Sequence, residues 1–188
     1  MSEWDFLWGL EGDELMDAMA SGATASDWDY IEQQEMRKRK TANSSNTKQI
    51  KKKNLVLFID AENVSYNYAT KIMENISKSG QLAEARYYAL QKDDSTRFWK
   101  EQAKHHDIKP ILLYGEASKN KIDNKIIKDA KHLLRQNKNI DIFCIATKDG
   151  DYTSLVSFLR EHRKRVIIFG PKDTSQKLIT ASSKFILL

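Results

Sequence analysis

Six short apolar runs, separated by stretches of helical periodicity, constrain this chain more than any other feature. The first, Leu55-Val56-Leu57-Phe58-Ile59, is unbroken and ends at Asp60. A run without polar alternation suits a strand covered on both faces. Ala83 to Leu90, Ile108 to Tyr114, Ile140 to Ala146, Val166 to Phe169 and Phe185 to Leu188 read as five more strands. Between them lie segments with a helical period. Residues 64–79 carry Tyr68, Ile72, Met73 and Ile76 and close at Gly80. Residues 94–106 also look helical, and residues 122–137 place Ile126, Ile127, Ala130, Leu133 and Leu134 on one face. Residues 151–162 do the same with Leu155, Val156 and Leu159, and a short helix is expected over 175–182. Alternating β and α units predict an α/β fold: a doubly wound, mainly parallel, Rossmann-like sheet flanked by helices on both faces. Pro110 lacks a backbone donor, which sends the third strand to an edge or to its own first residues.

Charge divides the chain into three pieces. Residues 1–35 hold ten acidic and no basic residues, residues 36–53 hold eight basic and no acidic residues, and residues 54–188 carry a net +7. This asymmetry predicts an acidic N-terminal segment, a basic linker and a mildly basic domain over 54–188. The linker has no aromatic residue and is rich in Lys, Asn, Ser and Thr, so it is expected to be disordered. The acidic segment interleaves Trp4, Leu7, Trp8, Trp28, Tyr30 and Ile31 with carboxylates. Three readings stay open for it: docking on a partner protein, folding back on the basic face, or packing on the domain as a small helical cap. The single cysteine, Cys144, excludes an internal disulfide framework and a cysteine-built zinc site. No apolar run approaches the roughly 20 residues that span a bilayer, and the opening residues MSEWDF lack the basic region of a secretory signal. The expectation is a soluble cytoplasmic protein with no membrane partner.

The ends of the strands carry the chemistry. In doubly wound sheets, sites form where strands release their carboxyl ends near the switch in strand order. The first strand ends in Asp60, followed by Glu62 and Asn63. The fourth ends in Thr147-Lys148-Asp149-Gly150-Asp151, and Lys119-Asn120-Lys121-Ile122-Asp123 follows the third. Carboxylates gathered on one rim repel each other and call for a compensating cation. Hard oxygen donors of this kind suit Mg²⁺ or Mn²⁺, and such an ion can hold phosphate oxygens and activate a water. Helix capping is the plainer account of Asp123 or Asp151 taken singly. Asp60, directly after five apolar residues, is harder to explain as a cap. No glycine-rich phosphate loop follows the first strand, which argues against a nucleotide-binding role.

The blocks FIDAEN, KNKIDNKIIKDA, ATKDGDYTSLVSFLREHRKRVIIFG and TSQKLITASSKFI, in this order, resemble the NYN domain of the PIN-like nuclease superfamily, close to its LabA-like group. The resemblance covers about residues 54–188. It implies a PIN-like fold and a metal-dependent ribonuclease. Asp60, Asp123, Asp149 and Asp151 match its acidic positions, Asn63 the asparagine after the first aspartate, and Tyr152 a usual aromatic. Asp129 matches a further acidic position, but it lies about 120° around the helix from Asp123 and is read as supporting. Where the family usually has a small residue, this chain has Lys148, able either to contact phosphate or to pair with a carboxylate.

The roles expected from this reading follow the chemistry. Asp60, Asp149 and Asp151 hold Mg²⁺ or Mn²⁺, and Asp123 completes the shell or orients water. Asn63, Lys119, Lys121 and Lys148 bind the substrate. Thr174 and Ser175 either reach phosphate or cap the next helix. The expected partners are RNA, single-stranded or structured, a protein engaging residues 1–35, and a second copy of the chain. The alternative function is a non-catalytic RNA-binding or adaptor module with a degenerate nuclease site.

Overall fold

A computed structural model describes residues 33–34, 36–38, 52–92, 94–115 and 120–188. Apart from those positions, the acidic segment, the basic linker and Lys119 lie outside the described residues. The chain divides into two compact units, Met1–Lys51 and Lys52–Leu188. In the first, residues 33–34 and 36–38 are helical.

The second unit alternates strands and helices. β1 (Asn54–Asp60) leads through a 3₁₀ turn (Tyr66–Tyr68) into α1 (Ala69–Ser79). β2 (Gln81–Leu90), α2 (Asp94–His106), β3 (Lys109–Leu113) and α3 (Lys121–Gln136) follow. β4 (Ile140–Ala146), a second 3₁₀ turn (Gly150–Tyr152), α4 (Thr153–Glu161), β5 (Arg165–Gly170), α5 (Gln176–Ala181) and β6 (Lys184–Leu187) complete it. The strands pair in parallel in the order β3-β2-β1-β4-β5-β6. The chain winds outward from β1 to β3, crosses back through α3, and winds outward again from β4 to β6. The order therefore reverses between β1 and β4, the central pair. Pro110 sits in β3, an edge strand, where its missing donor breaks no second ladder.

Alternate residues of the central strands face opposite layers. Leu55, Leu57 and Ile59 pack with Ile72 and Ile76 of α1 and with Trp99 and Ala103 of α2. Val56 and Phe58 pack with Ile126, Ala130 and Leu134 of α3, Leu155, Val156 and Leu159 of α4, and Leu178 of α5. Both faces of β1 are thus sealed, the physical reason its run lacks alternation. The Trp99 indole donates to the Val64 carbonyl at 3.1 Å, tying α2 to the segment that leaves β1.

Two expected helices begin later than their periodicity suggests. Ser65 Oγ accepts from the Asn67 amide and Asp149 Oδ1 from the Asp151 amide. Each cap starts a tight 3₁₀ turn before the α-helix proper.

One core position stores an improvement. The Tyr87 hydroxyl is buried with no hydrogen-bond partner among the described residues, and burial pushes its pKa up. Replacing an unsatisfied buried hydroxyl by hydrogen removes a desolvation cost of about 1 kcal/mol or more. Tyr87→Phe is expected to raise the urea midpoint by a corresponding amount; a lowered midpoint would reveal a partner for the hydroxyl.

Candidate active site

All six strands run in one direction, so the segments leaving β1, β3 and β4 emerge at the same end of the sheet. Asp60 is the last residue of β1. Asp149 and Asp151 follow β4, the neighbour of β1 at the reversal in strand order. Asp123 lies in the first turn of α3, which packs across β1 and β2. Each of Asp123, Asp149 and Asp151 offers a carboxylate oxygen, and these oxygens all lie within 4.8 Å of one another. Asp123 is nearly buried at 9% exposure, whereas Asp151 faces solvent.

The loop carrying Asp149 and Asp151 is held locally. Thr147, fully buried, accepts from the Asp149 amide at 3.2 Å, and Asp149 Oδ1 accepts from the Asp151 amide at 2.9 Å. Asp149 rather than Asp151 is therefore the capping residue. The same loop packs on the segment after β5. The Ser175 amide donates to the Lys148 carbonyl at 3.0 Å. A Cβ at Gly150 would lie 2.7 Å from Ser175 Oγ, and one at Gly170 would run into the Thr174 side chain. Glycine at both places is what lets the two loops approach. Thr174 Oγ1 donates to the Pro171 carbonyl at 2.6 Å, and Ser175 occupies the N-cap of α5 without a side-chain capping bond.

Asp60 occupies a different environment from the other three carboxylates. It is 1% exposed. Its Oδ1 accepts from the amides of Glu62 and Asn63 at 3.1 and 3.3 Å. Its Oδ2 accepts from Asn63 Nδ2 at 2.6 Å and from the Tyr152 hydroxyl at 3.0 Å. Burial raises the Asp60 pKa; the Asn63 and Tyr152 hydrogen bonds pull it back, and the Asp123 charge pushes it up again. Burial, with Asp60 and Asp123 adding to it, also drives the Tyr152 hydroxyl pKa upward. Tyr152 thus stays a donor. The spacing along the chain predicts that Asp60 joins Asp149 and Asp151; the three carboxylates within 4.8 Å of one another are Asp123, Asp149 and Asp151, while Asp60 feels the Asp123 charge and is linked to the loop through Tyr152. The reason is lateral: α3 lies over β1 and carries Asp123 across to the β4 loop.

The expected substrate-binding residues have varied surroundings. Asn63 directs its amide nitrogen to Asp60. Lys148 Nζ pairs with Asp173 at 2.8 Å, both side chains largely exposed, rather than with the carboxylate group. Lys121 Nζ donates to the Tyr114 carbonyl at 2.7 Å. Asp129 lies away from the cluster, held by Lys125 at 2.7 Å and by the Tyr88 hydroxyl at 3.1 Å. The sequence names no partner for Tyr152 and leaves the carboxylate that Lys148 pairs with unspecified, because Asp60 and Asp173 lie 92 and 25 residues away from them.

The converging donors suit a divalent cation. Among the described residues no lysine or arginine pairs with Asp123, Asp149 or Asp151. Hard oxygen ligands around a small ion stand about 3–4 Å from each other, a spacing that small side-chain rotations reach from the one observed.

Comparison with known proteins bears on this geometry. The sequence model of the NYN domain family matches residues 54–188, the stretch from β1 through β6. No curated protein matches the chain. The crystal structure of a protein of unknown function from Vibrio parahaemolyticus RIMD 2210633 shares the fold, with a TM-score of 0.63 and 20% identity over 74% of this chain and 94% of that one.

Proposed function

This chain belongs to the NYN domain family of the PIN-like nuclease superfamily, and on that premise we propose that it is a metal-dependent ribonuclease hydrolysing RNA phosphodiester bonds in the cytoplasm. The observation that carries the reading is the convergence of Asp123, Asp149 and Asp151 within 4.8 Å at the reversal of strand order. Among the described residues no helix is long and apolar enough to cross a membrane.

Each side chain has a part in this reading. Asp123, Asp149 and Asp151 hold Mg²⁺ or Mn²⁺, which when bound lowers the pKa of a water and offsets charge developing on the phosphate. Asp60 supports them from behind: it fixes Tyr152 and Asn63, and through Tyr152 it holds the 3₁₀ turn next to Asp151. Lys148 reaches substrate phosphate by leaving Asp173, a solvent-screened pair that is easily broken. Lys121 supplies a second cation beside Asp123, and Asn63 helps to position the phosphate. The +7 charge of residues 54–188 favours a polyanion as partner.

The test is incubation of the full chain with end-labelled RNA. Cleavage is expected with Mn²⁺ and none with excess EDTA; cleavage that survives EDTA would overturn the proposal. Absence of cleavage while RNA still binds would favour the adaptor role. A second readout does not depend on turnover. Mn²⁺ at about a hundred times its dissociation constant is expected to add roughly 2.7 kcal/mol to stability. That shift should disappear in Asp149→Asn, and a wild-type melting point indifferent to millimolar Mn²⁺ would count against the site.

A further inference from the structure

We infer that single-stranded RNA leaves the carboxylate cluster across the ends of β2 and β3, with its bases stacked on Tyr114 and on the Tyr66–Phe98 pair. This rests on the proposed action on RNA and adds the path and the features of the strand that are recognised.

Because β1, β2 and β3 are parallel, the residues that follow them share one end of the sheet, the end that carries Asp123. Tyr66 follows β1, Lys92 and Phe98 follow β2, and Tyr114 and Lys121 follow β3. Three of these are aromatic, and two of the aromatics stand well out of the core. Tyr114 is 70% exposed and Phe98 42%, two of the four large hydrophobic residues exposed among those described. Tyr66 and Phe98 stack at 4.8 Å with their planes 14° apart. The pair presents a ready flat surface, with Tyr66 packed against the core beneath.

Two local features set Tyr114 in place. Its carbonyl accepts from Lys121 Nζ at 2.7 Å, which ties the residue to the helix that carries Asp123. Gly115 next to it has φ +95°, a left-handed conformation that turns the chain sharply just after the ring. The cation of Lys121 therefore sits beside an exposed aromatic, and Lys92 is exposed on the same rim.

Aromatic faces interleaved with cations are the chemistry that binds single strands. Cations track the phosphates while unpaired bases stack on the rings, whatever their identity. A duplex hides its base faces and gains nothing from such rings. On the far side of the cluster, the segments that leave β5 and β6 carry no exposed aromatic among the described residues. The strand is thus drawn toward the β2–β3 side.

The test measures binding apart from turnover. Fluorescence anisotropy would follow a labelled twelve-nucleotide RNA on the full chain in EDTA, with a blunt RNA duplex as the second ligand. Tyr114→Ala and Phe98→Ala are each expected to weaken single-strand binding about tenfold and to leave duplex binding unchanged. Tyr114→Phe is expected to bind like the wild type. An oligonucleotide of the same length with abasic positions should bind wild type and Tyr114→Ala alike. Equal single-strand affinity for wild type and both alanine variants would overturn the inference, as would equal loss on the abasic strand or on duplex. Mn²⁺-dependent cleavage of the same RNA by wild type reports separately on the nuclease reading. Cleavage without an aromatic effect sinks the path alone; an aromatic effect without cleavage leaves the path and sinks the nuclease.

Discussion

Asp149→Asn is expected to lower Mn²⁺-dependent RNA cleavage at least a hundredfold, on the order of the loss when one group that stabilises transition-state charge is removed. The choice of asparagine follows from the local structure. Asp149 does two things: its carboxylate joins Asp123 and Asp151, and its Oδ1 accepts from the Asp151 amide at 2.9 Å. Asparagine keeps an amide oxygen that can still cap the 3₁₀ turn, but it removes the charge that a divalent ion requires. The unfolding midpoint in EDTA should therefore move by no more than about 0.5 kcal/mol. Loss of activity together with a preserved midpoint assigns the effect to the site. Equal cleavage by wild type and variant would assign it to another enzyme in the preparation. Asp151→Asn is the companion that disturbs the fold less, since Asp151 is exposed and the turn is capped by Asp149.

Asp60→Ala is expected to produce the largest loss of stability, about 3 kcal/mol, read as a lower urea midpoint with an unchanged slope. Two effects oppose each other here. Removing a buried charge relieves its desolvation, the first cause of the raised Asp60 pKa. Against that, four donors lose their acceptor at once: the amides of Glu62 and Asn63, the Asn63 side chain and the Tyr152 hydroxyl. An unsatisfied buried donor costs about 1–3 kcal/mol, so the orphaned donors win even where water reaches some of them. The same residue sets a pH dependence. The native state holds the Asp60 proton to higher pH than the unfolded chain, whose value is near 3.8. Its contribution is then full below 3.8 and is lost as pH rises through the native pKa. In the metal-free protein, wild-type stability should decline across that window relative to Asp60→Ala. A difference between the two that is flat with pH would mean that Asp60 ionises normally in the fold.

The two variants divide the acidic residues by physical role. The charge of Asp149 is expected to matter little to the fold and to be central to the proposed chemistry, while Asp60 is built into the fold by four hydrogen bonds. Both stand at the end of a central strand, and sequence spacing treats them alike. What separates them is burial: Asp60 closes a β1 whose faces are covered by both helical layers, whereas Asp149 is in the loop that follows β4.

Much of the architecture is legible without coordinates, because it depends on local rules. Unbroken apolar runs mark strands covered on two faces, and the helical period places Ile126, Ala130 and Leu134 against the sheet. Proline in the third strand marks an edge, and carboxylates directly after apolar runs mark strand ends. Even where the helices were expected too early, the departure is one of local capping by Ser65 and Asp149. The partnerships within the site are of another kind. That Asp123 rather than Asp60 meets Asp149 and Asp151, that Tyr152 donates to Asp60, and that Lys148 turns to Asp173 all depend on which strands lie side by side and where α3 crosses them. The elements, and the end of the sheet at which the carboxylates gather, follow from the chain alone, because burial and periodicity act along it. Which carboxylates converge is settled in three dimensions, because distances between residues far apart in sequence arise from the lateral order of the strands.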